Sequence, residues 1–504
     1  MFNGLREESL MTEIGDVILA TAVRRGINSP ALLLRSRLSH RKKGRLTASS
    51  YIVTHWNLTT VEGGWHETYR IKILLTLNIL QKFEIGCPID GDKACLRNLP
   101  CVREDDVENT AQLQKAIHKL IAAHARDLSG ALHEHRVKLY PPEARKTLRS
   151  FSSTEAAKLI GVNDGYLRHL SIEGKGPQPE IGNNNRRSYS VETVQALREY
   201  LDENGKGDRR YSPRRTGTEH LQVITAVNFK GGSGKTTTAA HLAQYLALNG
   251  YRVLAIDLDP QASMSALHGF QPEFDVKDNE TLYGAIRYDE ERRPMKDVIK
   301  KTYFTNLDLV PGNLELMEFE HDTAKVLGSN DRKNIFFTRM DDAIASVADD
   351  YDVVVVDCPP QLGFLTISAL CAATAVLVTV HPQMLDVMSM CQFLLMTSEL
   401  LSVVADAGGS MNYDWMRYLV TRYEPGDGPQ NQMVSFMRTM FGDHVLNHPM
   451  LKSTAISDAG ITKQTLYEVS RDQFTRATYD RAMESLDNVN TEIAQLIEDA
   501  WGRK

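Results

Sequence analysis

The sequence predicts an α/β protein whose main body is a mostly parallel sheet covered by helices on both faces, with a helical region and a small winged helix-turn-helix unit in front of it. Three observations carry that reading. From Leu221 onward, short continuous apolar runs at 223–228, 253–257, 307–310, 353–357, 375–380 and 415–421 alternate with helical patterns, as strands buried on both faces do. The first of these runs feeds a glycine-rich loop that opens a helix. Ahead of them, residues 147–201 carry two short helical patterns joined at a glycine, then turn residues, then a closing helix.

At 504 residues the chain has room for roughly three units of about 150 residues, and 42% hydrophobic with 24% charged residues is a globular composition. A net charge of -6 excludes a surface that is basic all over, so any nucleic-acid contact is local. Six cysteines in a chain of this size make no disulfide framework, and a reducing cytoplasm is the default compartment. The opening MFNGLREESL has an acidic pair where a signal peptide has a basic region, and no run of about 18 apolar residues is expected to span a membrane.

Residues 1–108 mix Gly, Trp, Cys and Arg without sustained periodicity, apart from an apolar run near 71–80, and are left unassigned as an N-terminal extension. Cys87, Cys95 and Cys101 within it lack the close pair usual for zinc. Residues 109–142 hold Leu113, Ile117, Ile121, Ala125, Leu128 and Leu132 at three- and four-residue steps, an amphipathic helix stopped by Tyr140-Pro141-Pro142. Such a helix either packs on the rest of its chain or associates with a second copy. In 147–201, Ser153 or Thr154 is the expected cap of the first helix. Ala156 and Ile160 face inward, Gly161 makes the turn, and Val162, Leu167 and Leu170 seat the second helix. SIEGKGPQPEIGNNNRRSYS has the turn residues of a wing, and VETVQALREYL closes the unit. Residues 202–220, rich in Gly, Pro and charge, read as a linker to the main domain at 221–504.

The segment VITAVNFKGGSGKTTTAAHLAQYL carries the strongest chemical signal. Glycines let backbone N–H groups converge on phosphate oxygens, and the helix N-terminus adds partial positive charge. Gly231, Gly232, Ser233, Gly234, Lys235, Thr236 and Thr237 are therefore candidates to bind ATP. Lys235 would reach the β- and γ-phosphates and the Thr236 hydroxyl would meet Mg²⁺. A second lysine, Lys230, stands just before Gly231-Gly232; it either reaches back to the same phosphates or meets another molecule's nucleotide. Asp257 and Asp259 follow the next strand, and YDVVVVD delivers Asp357 to the edge of the sheet where ligands bind.

KGGSGKTT, AIDLDPQ and VVVVDCPP together resemble the deviant Walker A ATPases, and among them the ParA-type partition ATPases. The resemblance implies that Lys230 is supplied across the interface of an ATP-sandwich homodimer and that Asp259 positions the attacking water. It also implies that Asp257 and the Walker B acid Asp357 join Thr236 around Mg²⁺. For Asp257 or Asp259 taken alone, the lesser alternative is a turn aspartate capping the next helix. Cys371 and Cys391 sit in or beside apolar helical stretches, unlike the loop cysteines of an iron–sulfur relative, and the C-terminal NVNTEIAQLIEDAWGRK has an acidic polar face, the wrong sign for anionic lipid.

The unit at 147–201 resembles the MerR-like winged helix-turn-helix. That resemblance offers Asn163, Tyr166, Arg168 and His169 to a major groove and Lys175, Arg186 and Arg187 to phosphates. With the run EHRVKLYPPEARKTLRSFSSTEAAKLIGV, the chain most resembles, over roughly 113–501, the RepA partition proteins of plasmid replication operons in alphaproteobacteria. What this implies is a partition ATPase of the nucleoid and cytoplasm, with ATP-driven dimerisation and nonspecific DNA binding through residues such as Arg417, Arg422, Arg438, Lys452 and Lys463. A ParB-like partner would stimulate hydrolysis, and operator binding would repress the protein's own operon. The alternative is a nucleotide-gated transcriptional repressor without significant ATPase cycling.

Overall fold

The computed structural model describes residues 117–131, 146–182, 185–205, 210–328, 335–409 and 411–503, and the backbone alone of 52–62 and 65–75. The chain divides into two units, Met1–Ser129 and Gly130–Lys504. In the first, β1 (Ile52–Glu62) and β2 (Trp65–Leu75) pair antiparallel, from Ile52 opposite Leu75 to Glu62 opposite Trp65. Hydrophobic periodicity does not reveal this hairpin; the signal is the Gly63-Gly64 pair between two runs rich in β-branched and aromatic residues. Residues 117–131 are helical, and Ile117, Leu120, Ile121 and Leu128 on their apolar stripe are exposed. Cys87, Cys95, Cys101 and the Tyr140-Pro141-Pro142 stop lie outside the described residues.

The second unit begins with three helices, α1 (Ser153–Ile160), α2 (Asp164–Ile172) and α3 (Val191–Asn204). They accompany a small antiparallel sheet of β3 (Phe151–Ser152), β4 (Glu180–Ile181) and β5 (Arg187–Tyr189), in the order β3-β5-β4. The cap of α1 is Ser152, one residue earlier than Ser153 and two earlier than Thr154. Its hydroxyl accepts from the Glu155 N–H while the Glu155 carboxylate accepts from the Ser152 N–H, a reciprocal box that only this register allows. Gly161, at φ +76°, makes the turn into α2 in a conformation that glycine adopts without strain.

Seven strands form the main sheet: β6 (Gln222–Val227), β7 (Val253–Asp257), β8 (Lys300–Lys301), β9 (Leu307–Val310), β10 (Val353–Asp357), β11 (Ala375–Val380) and β12 (Trp415–Val420). Their order is β12-β11-β6-β10-β7-β9-β8, and only β8 runs antiparallel. One core packs α4 (Lys235–Leu248) and the C-terminal helix, and the other packs α5 (Phe364–Ala372), α6 (Met384–Asp406) and α7 (Gly428–Phe441). The C-terminal helix, α8 (Arg476–Ala500), buries Val489, Ile493 and Ile497 completely, each worth about 1.5–3 kcal/mol. Its apolar face is thus used inside the protein.

Helix α6 holds no uninterrupted run of about 18 apolar residues, yet over its 23 residues it contains an 18-residue stretch of mean hydropathy 1.6, enough in length and composition to cross a membrane. It carries Asp386 and Glu399 and packs inward through buried Met390, Phe393 and Val404, with Val387, Leu394 and Leu401 half-buried against the core that holds Met390 and Phe393.

Helices α1 to α3 share one continuous core with α4 and α8. At the joint, Gln195 Nε2 donates to the carbonyl of Ala247 in the last turn of α4 (3.0 Å), and Arg198, buried beside Gly250, donates to the Leu159 carbonyl (2.6 Å). Burial without a bonded carboxylate pulls the Arg198 guanidinium down to about 10. Residues 210–220 have no regular element, yet they are strapped down. Arg215 donates to the carbonyls of Tyr351 and Ala348, and Glu219 pairs with Arg503 at 2.7 Å.

Candidate functional site

The carboxyl ends of β6, β10 and β7 lie side by side, with Asp357 in register with Ala226 on one flank and Asp257 on the other. Between β6 and α4 runs the loop 228–234. Gly232 (φ +77°) and Gly234 (φ +90°) take left-handed conformations, and a Cβ on Gly234 would stand 3.3 Å from that of Thr421. A Cβ on Gly231 would meet nothing within 4 Å, so that side of the loop is open. The loop is braced from the neighbouring strand ends: Thr421 Oγ1 donates to the Ser233 carbonyl at 2.7 Å, and the Ser233 and Thr379 hydroxyls bond at 3.0 Å. Asn228 joins the Thr379 carbonyl and accepts from the Lys230 N–H at 2.9 Å. Thr236 and Thr237 follow in the first turn of α4, half-buried.

Lys235, the first residue of α4, is buried, and desolvation lowers its pKa against the pull of Asp357. Its ammonium donates to the Lys230 carbonyl at 3.3 Å. Asp357 is fully buried, and both of its carboxylate oxygens have no hydrogen-bond partner among the described residues. Burial and the nearby Asp257 push its pKa well above the carboxylate range, although the Thr236 hydroxyl is near enough to favour the charged form. Asp257 differs. Its Oδ2 accepts from both the N–H (2.8 Å) and the hydroxyl (2.7 Å) of Ser265, and burial raises its pKa to about 6. That bonding ties Asp257 to Ser265 inside the next short helix, so Asp257 has less to offer a cation than Asp357. Asp259 is half-buried and turns the chain by accepting from the Gln261 N–H at 3.0 Å.

Lys230 is half-exposed, and its ammonium meets Asp386 Oδ2 at 2.6 Å. Sequence reasoning passed over Asp386 and the second role of Arg422. Arg422 sits at φ +53° and donates to the Gly232 carbonyl at 3.3 Å, which places it at the loop rather than on a distant basic face. Both follow strands β11 and β12, so the rule that open sheets bind ligands beyond their strand ends, applied to every strand, finds them. Of the other basic candidates, Lys452 pairs with Glu424 (2.8 Å), Arg438 donates to the Asn447 carbonyl (2.8 Å) and Arg417 to that of Met416 (3.1 Å). Lys463 stands at φ +54° with its carbonyl held by Lys146.

The residues proposed to read DNA lie elsewhere. Asn163 caps α2 by accepting from the Gly165 N–H (2.8 Å); Tyr166, Arg168 and His169 are exposed along the same helix. Arg168 pairs with Asp164 at 2.6 Å, and His169 and Lys175 with Glu173 at 3.3 and 2.9 Å. Arg186 is exposed, while Arg187 is half-buried and donates to the Ser171 hydroxyl at 3.0 Å, fastening β5 to α2.

A glycine-rich loop between a buried strand and a helix, with a buried lysine facing strand-end carboxylates in a mostly parallel sheet, defines a P-loop nucleotide-binding protein. The family model described as an AAA domain matches residues 221–404. A replication protein A of Rhizobium rhizogenes is 58% identical over 385 residues, 76% of this chain and 95% of its own length, a stretch longer than everything from Leu221 to Lys504. The chromosome partitioning protein ParA of Caulobacter vibrioides is 31% identical over 245 residues, 47% of this chain and 84% of its own. A solved partition protein shares the fold with a TM-score of 0.54 at 18% identity, covering 77% of this chain and 99% of that one. The chain belongs to the ParA family of partition ATPases.

Proposed function

We propose that this protein is a plasmid or chromosome partition ATPase of the bacterial cytoplasm and nucleoid, which pairs through ATP and contacts DNA in two ways. The observation that carries the reading is the division of labour between two lysines. Lys235 lies in the buried site with Asp357, and Lys230 lies on the loop's rim with its ammonium committed to another element. Backbone N–H groups from Gly231 to Thr237 grip phosphate oxygens, Lys235 bridges the β- and γ-phosphates, and Asp259 orients the attacking water. Lys230 serves the nucleotide of a second copy.

The residues fit a magnesium ion, because two buried carboxylate oxygens with no partner are unfavourable unless a cation joins them. Thr236 and Asp357 would hold it, with Asp257 beside them, and its chemistry is to spread charge on the phosphates. Nonspecific DNA binding falls to the exposed basic residues Arg438, Lys452 and Lys463 and to the half-buried Arg417, and a centromere-binding partner of the ParB kind stimulates hydrolysis. The winged unit binds the operator with Asn163, Tyr166, Arg168 and His169 in the groove and Lys175, Arg186 and Arg187 on phosphates.

The test is ATP hydrolysis by the purified chain with and without nonspecific DNA and the centromere-binding partner, beside Lys230→Ala. Stimulation that vanishes in the variant is the expected result. ATP binding with negligible turnover in both proteins would replace the reading with a nucleotide-gated repressor. The docking of α3 onto the end of α4 through Gln195 is the observation that favours that second reading.

A further inference from the structure

We propose that Asp386 is a positioning residue that holds Lys230 within its own subunit, so that breaking this ion pair sets how much ATP two copies need to pair. The inference rests on the dimer reading above. Lys230 cannot bond Asp386 at 2.6 Å and also reach the nucleotide of a second copy. Asp386 is the third residue of α6, where the helix N-terminus favours an anion, and its side chain is only 6% exposed against 42% for Lys230. A buried carboxylate left without its cation is unfavourable, so moving Lys230 away opposes dimerisation until ATP and the second copy offset it. The Lys230 backbone is held as well, its N–H by Asn228 and its carbonyl by Lys235. Nucleotide that draws Lys235 to phosphate therefore loosens the residue carrying the latch. Beside the ion pair, on the first turns of α6, Met384, Leu385 and Met388 are 57–74% exposed, an apolar face continuous with the point where Lys230 would leave.

The experiment measures the dimer fraction of the full chain against ATP concentration, with Mg²⁺, by analytical ultracentrifugation. Asp386→Asn keeps the shape and removes the charge. The ATP concentration for half-dimerisation should fall about tenfold, the equivalent of about 1.4 kcal/mol. Asp386→Glu should return it toward wild type, and the gap between wild type and Asp386→Asn should narrow as salt rises, which a merely structural role would not produce. Asp386→Ser is the second variant should the amide fail to fold. An unchanged or higher ATP requirement in the folded variants overturns the latch and leaves the dimer reading standing. A wild type that stays monomeric at saturating ATP sinks both.

Discussion

Two regions of this chain are proposed to hold phosphates, and they are built in opposite ways. At the carboxyl edge of the sheet, Lys235, Asp257 and Asp357 are buried, fixed by strand register and by a loop whose glycines take left-handed conformations. On the unit built from α1 to α3, Tyr166, Arg168, His169, Lys175 and Arg186 stand in solvent, and three of them are engaged by carboxylates within their own helix or the turn after it. The first region fixes its groups by the fold and leaves both Asp357 oxygens without a hydrogen-bond partner among the described residues. The second exchanges exposed ion pairs, worth about 0–1 kcal/mol each, for contacts with DNA. A preset site gives large, local consequences when altered; a solvated face gives small, distributed ones.

The largest expected effect breaks the preset site at its unpaired group. Asp357→Asn should reduce ATP turnover by about 10³-fold, the scale of losing one preorganised electrostatic contact. Stability should move the other way, because the variant removes a buried acid that burial and Asp257 disfavour; without Mg²⁺, unfolding by denaturant should show a gain of about 1 kcal/mol. A variant that turns over normally, or one that is clearly less stable, would mean that Asp357 is a structural acid.

Acid sharpens the same contrast. His241, inside α4, and His268 are buried, and desolvation pulls both down to about 4. His241 must be neutral to work as drawn: Nδ1–H donates to the Thr237 carbonyl at 2.7 Å while Nε2 accepts from the Leu466 N–H at 3.2 Å. In the unfolded chain these rings take up protons near pH 6.5, whereas in the folded chain they do so only near pH 4. Their stabilisation is therefore complete above pH 6.5 and is lost as pH falls from 6.5 to 4, up to about 3 kcal/mol per ring. Calorimetry across that window should show the loss, and replacing His241 with Gln should remove about half of it, the His268 share remaining. A profile that does not change with His241→Gln would contradict the assignment.

The sheet strands are legible because a strand buried on both faces shows as a continuous apolar run, and 353–357, four valines and an acid, admits little else. The loop is legible because only glycine takes φ +77° and +90° at such close quarters. Asp386 is not, because its pairing with Lys230 joins residues 156 positions apart and leaves no periodic trace. The same holds for Gln195 on Ala247 and Arg215 on Tyr351, which tie a separate-looking head and a stretch of linker composition to the main body. Arg422 carries the opposite lesson: its charge was visible, but only the fold shows that it faces the loop.

The smallest effect lies on the wing and tests whether the solvated face acts alone. Arg186 is exposed, so Arg186→Ala should weaken operator and nonspecific DNA about equally and lower the salt slope of binding by about one, the signature of a single phosphate contact. Arg187 is fastened to Ser171, so Arg187→Ala should also let the wing move on α2 and cost more on the operator than on nonspecific DNA. Fluorescence anisotropy against salt separates the two. ATP hydrolysis without DNA is the control, and it should stay within about twofold of wild type, because surface changes away from a site are small. If hydrolysis shifts with the wing, the two regions do not act independently: the Gln195 contact on the last turn of α4 becomes the physical route between them, and the contrast between a preset site and a free face fails at that joint.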